Sequence, residues 1–180
     1  STPVDPVTVQ VVGNLMRTLA DEVEISMIRA AYSPVIKESF DCSAGILNAR
    51  CEDFARADAI PLQLAVLASV QRSLLEVFPL GELRPGDVLF TNDPMTGAPH
   101  LNDFIAVAPV FVADEPIAFV ATLMHATDVG GMAPGSMPAD ATEIFQEGIR
   151  IPATMLVREG GYDERLVGIH VETTREHGEG

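Results

Sequence analysis

Two histidine–aspartate pairs with the same spacing are the residues of this sequence best suited to chemistry. His100 precedes Asp103 by three residues, and His125 precedes Asp128 by the same interval. Imidazole nitrogens and carboxylate oxygens are ligands for zinc, manganese and ferrous iron, and such a set leaves positions open for water or substrate. We therefore predict a divalent transition-metal site (Zn, Mn or Fe) with these four ligands. The predicted catalytic residues are His125, Asp128 and Glu143.

A predicted β-hairpin brings the two pairs together. Phe104–Val112 and Ile117–Leu123 are β-rich runs separated by four residues, a pattern typical of two antiparallel strands with a short loop. Centring the turn in that loop places Asp103 opposite Ala126, with His125 one residue away. The polar residues before the first strand and after the second then meet at the same end of the hairpin.

The remaining segments predict an α+β fold with antiparallel hairpins and two main amphipathic helices. The first helix begins at Asp5-Pro6, because Asp can serve as N-cap and Pro fits the first turn, and it ends before Ser33. The second helix runs from Pro61 to Phe78. A short hairpin over residues 43–57 lies between them, and a strand over Val88–Phe90 precedes the long hairpin.

A Gly/Pro-rich loop over residues 130–138 follows the long hairpin. Its composition favours a binding loop, and Gly130-Gly131 with Ser136 could present backbone N–H groups to an anion. No phosphate-loop or dinucleotide signature accompanies it, so a nucleotide site is not predicted. Ser136 lacks the setting of a nucleophile and is interpreted as a turn residue. Glu143, in a short helix predicted over residues 141–148, faces either solvent or the site.

Composition and charge narrow the class of protein. The 180-residue chain carries a formal net charge of −15, a field that repels phosphate backbones and anionic lipid. We therefore predict neither a nucleic-acid partner nor a membrane one, and the sequence shows no spanning segment or signal peptide. Cys42 and Cys51 could form a hairpin disulfide, but two reduced thiols in a cytoplasmic protein is the simpler interpretation. The predicted organisation is one region over residues 1–168 and a polar tail over 169–180.

Several segments resemble a known family. They are Lys37–Ser43, Asn92–Pro94, Gly97–Asp103, His125–Gly131, Pro134–Pro138 and Thr142–Pro152. Together they resemble the B-type subunit of hydantoinases, 5-oxoprolinases and caprolactamase-like enzymes, to which the large subunits of acetone and acetophenone carboxylases are related. Family subunits are much longer, so the chain is similar to an amino-terminal portion of a larger subunit.

The resemblance implies an enzyme that works only with other chains. An A-type partner would bind ATP with Mg²⁺ and phosphorylate the substrate, while this subunit and the remainder of the B-type subunit would hold the metal and complete the reaction. The resemblance therefore implies a hetero-oligomer that acts on a small-molecule substrate. Three functions remain open: ATP-dependent hydrolysis of a cyclic amide, ATP-dependent carboxylation of a ketone, and a non-catalytic assembly role with a decayed site.

Five positions depart from the family pattern. Ala59, Gln63 and Ala126 stand where many members have histidine, Cys51 replaces a turn glycine, and Met95 replaces an aromatic residue. The lost imidazoles imply a single metal site with fewer nitrogen ligands. Asn92-Asp93 is expected to lie beside that site and either to support its ligands or to supply a further ligand.

Overall fold

The structure is a computed structural model that describes residues 4–31, 34–57 and 61–174. Its helices are α1 (Pro6–Ala30), α2 (Pro34–Ser39), α3 (Pro61–Val77) and α4 (Glu164–Thr173). Its strands are β1 (Cys42–Asn48), β2 (Asp53–Arg56), β3 (Val88–Thr91), β4 (Asp103–Val112), β5 (Glu115–His125), β6 (Thr154–Arg158) and β7 (Gly161–Tyr162). The strands form one antiparallel sheet in the order β2-β1-β5-β4-β3-β6-β7. The predicted α+β fold with antiparallel hairpins and two main helices is confirmed.

The two main helices pack on opposite faces of the sheet. Successive side chains of a strand point to opposite faces, and in β1 Ile46 packs in the cluster beside α1 while Leu47 packs in the cluster beside α3. The α3 face carries most of the core, because Leu67 and Leu74 are buried there against Phe119 and other strand residues. The α3 face is therefore the closely packed face of the sheet, and the site lies on it.

Helix α1 begins as predicted but packs less deeply than a core helix. The Asp5 carboxylate accepts the Thr8 N–H at 3.3 Å, which confirms the N-cap. Only Ala20 is fully buried, whereas Val9 is 58% exposed and Leu15 is 53% exposed. The residues of the helix that pack beside the sheet lie in its middle and its second half. No helix in the three described ranges has both the length and the apolar character needed to cross a bilayer.

The long hairpin is present, but the predicted register is wrong by one residue. Asp103 pairs with His125 rather than with Ala126, because the loop is shorter than predicted and an irregularity follows Val110. The loop consists of residues 113–114, and Ala113 adopts a left-handed φ of 54°. Directly opposite residues share a face of the sheet. Asp103 and His125 therefore lie side by side on the α3 face.

One prediction after the long hairpin needs correction. The helix predicted over residues 141–148 is reduced to a single 3-10 turn at Ile144–Gln146, followed by Gly148 with a φ of 129°. Beyond Arg158 the chain continues as β7 and α4. Helix α4 spans residue 168, and the predicted division of the chain at that position stays a prediction.

The two cysteines form no disulfide. Cys42 and Cys51 are both free and buried. Burial raises the pKa of the Cys42 thiol to about 11, with smaller contributions from the charges of Glu24 and Asp41. Cys51 adopts a positive φ of 60°, the conformation that favours the turn glycine it replaces. The interpretation as unpaired thiols is the one that fits the structure.

Candidate metal centre

Three of the four predicted ligands converge at one end of the sheet. His100, Asp103 and His125 each offer a ligand atom, and these atoms lie within 4.8 Å of one another. Asp103 Oδ2 lies 2.9 Å from His100 Nδ1, and Asp103 Oδ1 lies 2.8 Å from His125 Nδ1. Two imidazoles and one carboxylate this close together suit a divalent ion of the zinc, manganese or iron class.

Asp103 organises this cluster. It is the first residue of β4, and its backbone N–H donates to the His100 carbonyl at 3.1 Å, which closes a tight turn. Its Oδ2 also accepts the His100 backbone N–H at 2.9 Å. One buried carboxylate thus fixes the turn that carries the first histidine and contacts both imidazole rings.

The cluster is buried on one side and open on the other. The Asp103 side chain is 3% exposed and that of His125 is 15% exposed, whereas that of His100 is 51% exposed. The two rings stand nearly perpendicular, with centroids 6.1 Å apart. A small molecule can therefore reach the cluster from the side of His100.

The surroundings of His125 favour its protonated form when no ion is bound. The hydrogen bond to the Asp103 carboxylate raises the pKa of His125, burial opposes this, and the charges of Asp103 and Asp41 add to the rise. A metal ligand must be deprotonated. An ion held at this cluster would therefore compete with a proton for His125.

Asp41 and Gln63 adjoin the site and were not predicted as parts of it. The Asp41 carbonyl accepts the His125 N–H at 3.0 Å, and the Gln63 amide hydrogen-bonds to the Asp41 carboxylate. The sequence did offer one signal for Asp41, because this residue lies in the segment Lys37–Ser43 that resembles the family. Its position beside His125 depends on the pairing of β1 with β5, which the sequence did not predict. Ala59, another of the positions that lack a histidine, lies outside the described residues.

Asp128 lies outside the cluster, among the residues that the structure describes. Its Oδ1 accepts the Gly130 N–H at 2.8 Å, and its Oδ2 accepts the Gly135 N–H at 3.0 Å. The residue is 5% exposed. The structure thus gives this carboxylate a bracing role in the Gly/Pro-rich loop, while its predicted role as a ligand stays a prediction.

The Gly/Pro-rich loop is braced internally and does not present its amides as an anion cradle. Ser136 is 1% exposed, with a φ of 56°, and its Oγ accepts the N–H groups of Val129 at 2.9 Å and Gly131 at 2.8 Å. Asp128 accepts the Gly130 N–H. A Cβ on Gly131 would lie 2.8 Å from the Glu147 carbonyl oxygen, so the close packing requires glycine there.

Replacing Ser136 with alanine is expected to destabilise the protein. The change leaves two buried N–H groups without their acceptor, at a cost of about 1–3 kcal/mol each. Urea denaturation measures the change in the free energy of unfolding. Ser69→Ala is the matched control, because the Ser69 hydroxyl donates to a helix carbonyl on an exposed surface. Equal stability of the two variants would contradict the bracing role.

The other predicted residues support or flank the cluster. Asn92 is fully buried, donates to the carbonyls of Leu101 at 2.6 Å and Ile149 at 2.9 Å, and accepts the Ile151 N–H at 2.6 Å. It thereby ties the turn beside the cluster to the chain that follows the loop. Asp93 accepts the Met95 N–H and pairs with Arg150, so it is not one of the clustered ligands.

Glu143 lies on the surface. Its backbone N–H donates to the Gln146 side chain at 3.0 Å at the start of the 3-10 turn, and the residue is exposed. The structure does not bring it into the cluster, and its predicted catalytic role stays a prediction.

Comparison with known proteins gives this geometry a context. Residues 5–179 match the family described as hydantoinase B/oxoprolinase. The 5-oxoprolinase of Saccharomyces cerevisiae is 32% identical over 168 residues, which are 91% of this chain and 13% of that protein. The crystal structure of ATP-dependent caprolactamase from Pseudomonas jessenii superposes with a TM-score of 0.88 at 29% identity, covering 97% of this chain and 30% of the other.

A nucleotide-free structure of acetone carboxylase shares the fold. It gives a TM-score of 0.87 at 18% identity and covers 96% of this chain and 23% of the other. The chain spans between 12% and 31% of the length of the curated relatives compared with it. Because the family match extends over nearly the whole sequence, the chain belongs to the hydantoinase B/oxoprolinase family.

Proposed function

We propose that this chain supplies the metal centre of an ATP-dependent enzyme that hydrolyses a cyclic amide such as a hydantoin, an oxoproline or a lactam. The observation that carries the proposal is the convergence of two imidazoles on the buried Asp103 carboxylate. The names of the relatives, 5-oxoprolinase and ATP-dependent caprolactamase, support this substrate class.

His100, Asp103 and His125 would hold the ion. Such an ion polarises a carbonyl or phosphoryl oxygen and lowers the pKa of bound water. Asp103 orients both imidazole rings through its hydrogen bonds, and burial of His125 keeps water from that side. An ion held there would compete with the proton that His125 shares with the Asp103 carboxylate, and the exposed side at His100 would admit the substrate.

The proposed enzyme needs other chains. An A-type partner would bind ATP with Mg²⁺ and activate the substrate by phosphorylation, and the remainder of the B-type subunit would complete the site. The chain covers only part of each relative, and one relative is named as caprolactamase subunit beta. The net charge of −15 favours association with a basic surface in such a hetero-oligomer.

Substrate-dependent ATP hydrolysis by the assembled complex tests the proposed function. We expect turnover with a hydantoin, 5-oxoproline or a lactam, and loss of that turnover after chelation of the metal. Turnover only with a ketone and bicarbonate would indicate that the complex is a carboxylase and not a hydrolase. A complex that lacks metal and keeps its activity in a His100→Ala variant would indicate an assembly role instead.

Metal affinity is expected to depend on pH through His125. Since its pKa is raised, the imidazole holds its proton to a higher pH than an ordinary histidine, and that proton competes with the ion. Affinity should therefore fall as the pH drops through the raised pKa, by about tenfold per pH unit for one protonated ligand. Competition titrations with a chelator between pH about 5 and about 8 measure this dependence. A pH-independent affinity over that range would exclude His125 as a ligand.

A further inference from the structure

A buried glutamine is locked between two polar partners beside the cluster. Gln63, in the first turns of α3, is 7% exposed. Its Oε1 accepts the hydroxyl of Ser43 at 2.6 Å, and its Nε2 donates to Oδ1 of Asp41. Ser43 is fully buried in β1. The contacts join the start of α3 to the chain that enters the strand beside β5.

The chemistry of the partners allows only one orientation of this amide. A carboxylate accepts hydrogen bonds and does not donate them, so the NH₂ group of Gln63 must face Asp41. The carbonyl oxygen then faces Ser43, whose hydroxyl can donate to it. The reversed amide would place its oxygen against a carboxylate oxygen, so the two partners together fix the Gln63 side chain.

The locked carboxylate belongs to the same face as the cluster. The Asp41 carbonyl accepts the His125 N–H at 3.0 Å, which continues the pairing of β1 with β5 by one position. Since Asp41 contacts Gln63 of α3, its side chain points to the face that also holds Asp103.

We propose that Ser43 and Gln63 form a positioning pair that holds the Asp41 carboxylate toward the ion bound by the histidine–aspartate cluster. The inference rests on the proposed function, because it concerns the same ion. Gln63 acts through Asp41 and touches neither the ion nor the substrate. Asp41 adds a second carboxylate to a site whose other carboxylate is already shared between two imidazoles.

Metal binding by variants of the full-length subunit in its complex tests the positioning role. Gln63→Met keeps the volume but removes both hydrogen bonds, and we expect Mn²⁺ or Zn²⁺ alone to bind about 10- to 100-fold more weakly, the effect typical of a residue that supports a ligand. Gln63→His retains one donor and one acceptor and should bind within a few-fold of wild type. Apparent Kd values come from competition with a chromogenic chelator.

Gln71→Met is the matched control. Gln71 lies two helical turns further along α3, is fully buried, and donates to the Asn48 carbonyl at 3.0 Å, away from the cluster. Its replacement disturbs the same helix without touching Asp41, so ion affinity should not change. A loss in Gln71→Met equal to that in Gln63→Met would mean general damage to α3 and would overturn the proposal.

A double variant decides whether Gln63 acts through Asp41. If it does, Gln63→Met should weaken ion binding no further in an Asp41→Asn background, whereas additive losses would overturn the inference. Wild-type affinity in Gln63→Met would overturn it while leaving the metal site intact. Failure of the wild-type complex to bind any ion would instead overturn the proposed function together with this inference.

Discussion

Replacing His125 with alanine is expected to remove the ion and abolish turnover. The change deletes one of two imidazoles and the cross-strand partner of Asp103. Residues that merely support a ligand are worth about 10- to 100-fold in affinity or activity, so loss of a ligand should exceed about 100-fold. Metal analysis of the purified complex, with wild type and variant prepared side by side, measures the loss directly.

Met124→Ala is the control for damage to the strand. Met124 precedes His125 in β5, and its side chain points to the opposite face of the sheet. This variant should retain the ion. Thermal denaturation of the metal-free proteins then separates loss of a ligand from loss of fold. An unchanged metal content in the His125 variant would show that the cluster is structural and would remove the basis of the proposed function.

The second large effect is expected from Asp103→Asn. The asparagine has the same shape but only one acceptor oxygen, so it cannot serve both the His100 and the His125 side of the cluster. We expect ion affinity to fall by more than about 100-fold, for the same reason as with His125. In the metal-free protein, the pKa of His125 should fall toward its ordinary value, because the Asp103 carboxylate is the largest cause of the rise.

The fall in the pKa of His125 determines how the stability difference between the two proteins depends on pH. A histidine whose pKa is raised on folding stabilises the protein fully below its unfolded pKa, and this contribution is lost as the pH rises through the folded pKa. The stability difference between metal-free wild type and Asp103→Asn should therefore shrink as the pH increases. NMR titration of the imidazole and denaturation at several pH values check both expectations. A difference that grows with pH would contradict them.

The Asp128→Asn variant distinguishes two roles for Asp128, which are metal ligand and acceptor of loop N–H groups. The structure shows its carboxylate accepting two loop N–H groups, so we expect the variant to lose stability and to keep the ion. A loss of ion comparable to that in Asp103→Asn would make Asp128 a fourth ligand, as its spacing from His125 predicts.

The sequence by itself determined the two main helices, the long hairpin and the family. Asp5-Pro6 marks the start of the first helix because capping is a local interaction, and the two long β-rich runs identify the hairpin because their pattern is local as well. The repeated histidine–aspartate spacing located three of the residues that cluster. The resembling segments indicated a family whose description matches the chain over residues 5–179.

Only the tertiary structure decided which side chains share the site. A one-residue change in register moves a side chain to the other face of a sheet, so the short loop and the irregularity after Val110 placed Asp103 beside His125. Identical spacing did not give Asp128 the environment of Asp103, because backbone N–H groups of a later loop occupy its carboxylate. Asp41 and Gln63 joined the site through pairing of β1 with β5 and packing of α3, which are contacts between distant parts of the chain.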